Sequence, residues 1–119
     1  MNSRQRFEHI ANYFETLTPQ SVSELSAFYS TTARFKDPFN DVTGVPAIET
    51  IFAHMFASLT QPRFVITGQV VDGDQAFLTW EFRFRFKRFD TQTEQVVLGT
   101  SHLVLDADQR ISLHRDYWD

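Results

Sequence analysis

The sequence predicts an α+β fold: three N-terminal helices packed on a curved antiparallel sheet. Apolar residues recur at helical spacing as far as Leu59, then alternate with polar ones at the period of a half-buried strand. Helical and strand-like segments are segregated rather than interleaved, which argues against a parallel βαβ arrangement. The 119 residues show no repeat, linker or low-complexity stretch, so residues 1–119 read as one domain able to bury its own core.

The first helix follows from Phe7, Ile10, Ala11, Phe14 and Leu17, and Thr18-Pro19 stops it. A short second helix is expected where Ser-Val-Ser-Glu (Ser21 to Glu24) has capping-box form ahead of Leu25 and Phe28. The third starts at Pro46, buries Ile48, Ile51, Phe52, Met55 and Leu59, and ends at Gln61-Pro62. Arg63 to Val71 reads as a strand and Asp72 to Gln75 as a tight hairpin turn. From Ala76 to Phe89, Leu78, Trp80, Phe82, Phe84 and Phe86 point one way, and Glu81, Arg83, Arg85 and Lys87 the other. Gln95 to Leu105 and Arg110 to Asp119 complete the meander, separated by an Asp-Ala-Asp-Gln turn.

Composition narrows the function classes. Thirteen phenylalanines exceed what a small core needs, so a lined cavity or a subunit interface is expected to take the surplus. A net charge of −4 gives no electrostatic support to a nucleic-acid or anionic-membrane role. The basic and aromatic residues interleaved in Trp80 to Phe89 separate by strand period, rings inward and cations outward. With no cysteine, disulfides and thiolate metal sites are excluded. The N-terminal stretch lacks an apolar signal region, and no run approaches the ~18 apolar residues of a membrane span. A cytoplasmic protein is the expectation. The histidines lack metal-ligand spacing, so neither metal nor cofactor is expected.

Phe35-Lys36-Asp37-Pro38-Phe39 between the second and third helices, a glycine before the third, and Tyr117-Trp118-Asp119 closing the last strand resemble the nuclear transport factor 2-like superfamily. That superfamily includes the SnoaL-like proteins and the ketosteroid isomerases. The resemblance covers nearly the whole chain. It implies a cone-shaped fold enclosing a pocket, and a homodimer formed through the sheet's outer surface. It places Asp37 where the isomerases keep their general base and Tyr13 where they keep a hydrogen-bond donor to a developing enolate. Tyr29 matches a supporting tyrosine and Trp118 a pocket-lining aromatic. Two positions depart: Ser101 stands where those enzymes use an aspartic acid as second donor, and Phe52 replaces a supporting tyrosine.

Two readings of Asp37 stay open: a base desolvated by Phe35 and Phe39, or a turn-forming carboxylate that caps backbone amides. Tyr13 sits at the edge of the first helix's apolar stripe and either packs on the sheet or meets a ligand. On the last strand His114, Asp116 and Trp118 share one face. His114 and Asp116 therefore form either a pair structuring a cavity wall or an acid/base unit. A ligand pocket would be lined by Tyr29, Phe35, Phe39, Phe52, Leu78, Trp80, Phe82, Ser101 and Trp118. The expected function is binding of a small lipophilic molecule, with isomerase, hydratase or cyclase chemistry if the protein is an enzyme. The alternative is a non-catalytic ligand-binding or dimeric assembly module.

Overall fold

A capping box starts the first helix. In the computed structural model, which describes residues 1–118, Asn2 Oδ1 accepts the Gln5 N–H at 2.8 Å and Gln5 Oε1 accepts the Asn2 N–H at 3.0 Å. Asp119 of the terminal motif lies outside the described residues. Helix α1 (Ser3–Glu15) buries Phe7, Ile10, Ala11, Tyr13 and Phe14. The second helix is not an α-helix but a 3₁₀ helix, Ser21–Ala27, and Ser21 to Glu24 do not form its capping box. Instead Ser21 Oγ accepts the Thr18 N–H at 2.9 Å, and Thr18 Oγ1 accepts the Ser21 N–H at 3.0 Å. Three serines and a valine within seven residues are weak α-formers, which favours the tighter coil.

Between the second and third helices, where no element was expected, the chain forms two strands, β1 (Tyr29–Lys36) and β2 (Asp41–Thr43). Gly44, at φ 96°, then swings the chain into helix α2 (Val45–Ser58), a backbone angle that a side chain would strain. Helix α2 ends before Gln61-Pro62, which belong to β3 (Thr60–Asp72). There a register shift between Thr60 and Arg63 accommodates the proline, and β3 is an edge strand, where a missing N–H is tolerated. Strands β4 (Gln75–Arg85), β5 (Gln95–Leu105) and β6 (Ile111–Trp118) follow, with β4 stopping short of the expected Phe89.

The strand order is β2-β1-β6-β5-β4-β3. The sheet is mixed, not antiparallel, because β1 pairs with β6 in parallel. Such pairing joins strands distant in sequence and leaves no local signal in either. The helices cover one face, where Phe7, Ile10, Leu25, Ile48, Leu78, Leu103 and Ile111 are fully buried. The phenylalanine surplus divides three ways. Phe7, Phe14, Phe28, Phe35 and Phe52 are buried, with Phe56 half-buried against them; Phe64, Phe82 and Phe84 line a cavity; Phe39, Phe77, Phe86 and Phe89 are exposed. Among the described residues, no helix is long and apolar enough to cross a membrane.

Candidate functional site

Strand register assembles the site. Ser101 of β5 lies opposite both Leu78 of β4 and Asp116 of β6; one step along, Gly99 lies opposite Trp80 and Trp118. Side chains opposite one another in paired strands share a face, so all of these point toward the helices together with His114. Gly99 is required here. A Cβ at that position would stand 2.3 Å from Trp80 Cη2, so the missing side chain is what lets the indole lie across β5.

That placement sends Trp80 Nε1–H to Ser101 Oγ at 2.9 Å. The Ser101 hydroxyl in turn donates to Asp116 Oδ1. From the other side His114 Nε2 meets the same Oδ1 at 2.7 Å, while His114 Nδ1 lies 2.6 Å from the Tyr29 hydroxyl. Phe14 and Phe35 pack around the imidazole, with ring centroids 5.6 and 4.7 Å away.

The protons on this chain can be placed. Tyr29 is fully buried, and burial, with the Asp116 charge as a smaller cause, pushes its hydroxyl well above the ordinary tyrosine value. It remains a phenol, and among the described residues its oxygen has one hydrogen-bond partner, His114 Nδ1. The phenol proton satisfies Nδ1, which makes the imidazole neutral with its own proton on Nε2, donated to Asp116. Two donor chains thus converge on Asp116 Oδ1. Asp116 Oδ2 has no hydrogen-bond partner among the described residues. Because no buried polar side-chain atom there is left unpaired, Oδ2 is not sealed in.

Oδ2 belongs to a carboxylate at the junction of two spaces. An inner pocket of about 20 Å³ is walled by Phe14, Phe52, Leu78, Trp80, Ser101, His114 and Asp116, among others. That is room for one water-sized group. An outer cavity of about 290 Å³ is bounded by Phe35, Ile51, Phe52, Met55, Phe64, Trp80, Phe82, Phe84, Val97 and Trp118, with Asp37 and Asp116 its only charged residues among those described. Among the described residues, no group of three His, Asp or Glu side chains is placed to hold a metal ion.

The sequence matches the SnoaL-like domain over residues 10–114. The chain belongs to the SnoaL-like domain family. None of the curated proteins matches it in sequence. Among solved structures it is similar to a putative SnoaL-like polyketide cyclase from Shewanella putrefaciens, with 19% identity, TM-score 0.79, and 97% of this chain and 90% of that one covered. It also resembles an epoxide hydrolase of the LEH-like type from M. tuberculosis, with 16% identity, TM-score 0.75, and coverage of 98% and 82%. A third is a hypothetical protein of ketosteroid isomerase-like fold from Catenulispora acidiphila, in complex with trimethylamine, at 17% identity, TM-score 0.75, and coverage of 90% and 79%. These likenesses, with those to solved NTF2-like proteins, establish the nuclear transport factor 2-like fold.

Within this SnoaL-like fold the residues singled out in the sequence are only partly brought together. Phe35, Phe52, Leu78, Trp80, Phe82, Ser101, His114, Asp116 and Trp118 line the two spaces. Tyr29 stands behind them as the support of His114. Ser101 does not offer a free donor: its proton is committed to Asp116, and its oxygen accepts from Trp80. Tyr13 is not among the cavity residues. Its hydroxyl donates to the Ser21 carbonyl at 2.7 Å, and burial first, then Glu24 and Glu49, raises it to about 12. Phe39 is 82% exposed and packs on Trp118 rather than lining the cavity.

Asp37 satisfies parts of both open readings. Its Oδ1 accepts the Phe39 and Asn40 backbone N–H groups at 2.8 and 2.7 Å, and Asn40 Nδ2 at 3.0 Å, which is a turn-forming arrangement. The same carboxylate borders the outer cavity, with Oδ2 held, among the described residues, only by Asn40 Nδ2 at 3.1 Å. Sequence reasoning missed Phe64, Phe84 and Val97 as residues of the outer cavity, and placed Ile51 and Met55 in the core. Three apolar residues in a row, Phe64 to Ile66, hide which face of β3 points inward; the register that sets Phe64 opposite Phe82 decides it.

Proposed function

We propose that the outer cavity binds a small lipophilic molecule and that Asp116 acts on it as a general base. One observation carries the assignment: two hydrogen-bond chains fix Asp116 through Oδ1 and leave Oδ2 without a partner among the described residues, on a side chain bordering a cavity whose other described lining, Asp37 apart, is apolar. A base needs a free lone pair, a fixed orientation and little competing water, and the Trp80–Ser101 and Tyr29–His114 arms supply the first two while the aromatic walls limit the third. Proton abstraction beside a carbonyl, hydration, or cyclisation through a carbanion all fit this arrangement. The inner pocket is sized for the one water a hydration would consume. In this proposal the base role that the resemblance gave to Asp37 passes to Asp116.

A second reading keeps Asp37 as the base, favoured by its place on the same cavity wall and its lightly held Oδ2. A non-catalytic binding module is the third possibility. Native mass spectrometry of gently purified protein is expected to reveal a retained small molecule. Supplied with that molecule or a close analogue, the parent should turn it over. Asp116→Asn should bind without turnover, whereas turnover lost only in Asp37→Asn transfers the base role to Asp37. Binding with no turnover in any form leaves a binding module.

The cytoplasm is the proposed location and a homodimer the proposed assembly. Arg83, Arg85 and Lys87 do not support that interface, since each already bonds within the chain, to Glu81 and Glu94, to Gln61, and to the Ala57 carbonyl. The exposed Phe77, Val96, Leu98 and Tyr117 on the sheet's outer face do.

A further inference from the structure

We infer that the molecule this cavity takes carries a positive charge on an apolar frame, as a tertiary or quaternary ammonium. The inference rests on the proposed pocket and narrows its ligand class. It begins with the charge on Asp116. The side chain is only 11% exposed, yet its only ion-pair partner among the described residues is His114. The Tyr29 hydroxyl makes that imidazole neutral: a second ring proton on Nδ1 would leave the buried phenol hydrogen with no acceptor. Both groups at Oδ1 donate, the pattern of a carboxylate. The cavity therefore presents a negative charge with no cation opposite it among the described residues, an arrangement that favours a ligand able to supply one.

The walls agree with the charge. Among the described residues, seven of the twelve that line the cavity are aromatic, Asp37 and Asp116 are the only charged ones, and none is Lys, Arg or His. Aromatic faces attract cations through the ring quadrupole and do so without needing a hydrogen bond. Lys36 and Arg115 lie outside, in a surface depression that meets the cavity only at Asp37, Asp116 and Trp118. Both are engaged there: Lys36 Nζ is 3.9 Å from Asp41, and the Arg115 guanidinium lies 4.9 Å from the Tyr117 ring centroid. An anion in the cavity would meet two carboxylates, and a neutral guest would leave Asp116 uncompensated. A trialkylammonium can donate to Oδ2; a quaternary one can rest against the rings with its charge near the same oxygen.

Three benzyl probes test this: benzyltrimethylammonium, its uncharged isostere neopentylbenzene, and the smaller phenylacetate as the anion. Trp80 and Trp118 both line the cavity, so quenching of their fluorescence reports binding. The cation is expected to bind roughly tenfold or more tightly than the neutral isostere at low salt, with phenylacetate weakest. Asp116→Asn should abolish most of that preference while neopentylbenzene still binds. Equal or tighter binding of the neutral or anionic probe to the parent protein overturns the inference but leaves the pocket intact. Failure of all three to bind overturns the pocket reading as well. A cation preference that survives in both Asp116→Asn and Asp37→Asn also refutes it, since neither carboxylate would then be its source.

Discussion

Replacing Asp37 and Asp116 by asparagine, one at a time, puts the same chemical change on two carboxylates with different work. At Asp37, Oδ1 accepts two backbone amides and the Asn40 side chain. Asparagine keeps an acceptor oxygen but loses the charge, and bonds to a charged acceptor are about twice as strong as neutral ones. Its new NH2 also faces Asn40 Nδ2, donor against donor. Weakening two bonds by about 0.5 kcal/mol each and losing a third comes to ~1–2 kcal/mol, within the usual cost of removing a capping oxygen. In a chain of this size that lowers the melting midpoint by about 5 °C. At Asp116 the asparagine oxygen can hold both bonds at Oδ1, while its nitrogen takes the place of the open Oδ2 and a charge leaves a mostly buried site. Stability should then stay within ~1 kcal/mol of the parent. Urea and thermal melts near neutral pH measure both variants, with ligand retention read in parallel. A loss of more than ~3 kcal/mol in Asp116→Asn beside an unchanged Asp37→Asn would refute the reasoning. It would make Asp116–His114 a structural ion pair and return the functional role to Asp37.

Ser101→Asp should cost several kcal/mol and reduce soluble yield, because it sets a second carboxylate against Asp116 in a buried position; urea midpoints decide this, and a tolerated variant would show that the cavity wall is more open than the hydrogen bonds imply. Gly99→Ala drives a methyl into the Trp80 indole, so the Nε1–Ser101 bond should break at a cost of ~2–3 kcal/mol with a red-shifted tryptophan emission. Hydrogen bonds from Arg63 and then Arg83 hold Glu94 down at about 2 against an ordinary 4.5, so its contribution is present above the ordinary value and fades as pH falls through the depressed one. The site is half-exposed and salt-screened, so the effect is small, and Glu94→Gln should flatten the stability profile between pH 4.5 and about 2. Light scattering at micromolar concentration should give a dimer mass for the parent and a monomer for Leu98→Glu, which places a charge on the outer sheet face.

Much of the architecture was legible locally. The 3.6-residue period placed Phe7, Ile10 and Phe14 in the core, and the two-residue period set Leu78, Trp80 and Phe82 on one face of β4 and His114, Asp116 and Trp118 on one face of β6. Turn chemistry located the hairpin after Asp72. Period decides which way a side chain points, because it is a property of the backbone around that residue alone. It does not decide what the side chain meets. The parallel pairing of β1 with β6, and the register opposing Ser101 to Asp116, are set by strands distant in sequence. The Tyr29–His114 bond spans 85 positions, and it fixes the protonation of the imidazole. The same limit explains Asp37 and Tyr13. The phenylalanines flanking Asp37 suggested an apolar pocket, but Phe39 turns outward and the adjacent amides take up the carboxylate. Tyr13 spends its hydroxyl on the Ser21 carbonyl eight residues on. Sequence alone determined the faces; the tertiary register decided which carboxylate was left with an open oxygen, because hydrogen-bond partners are chosen by whatever the fold brings within 3 Å.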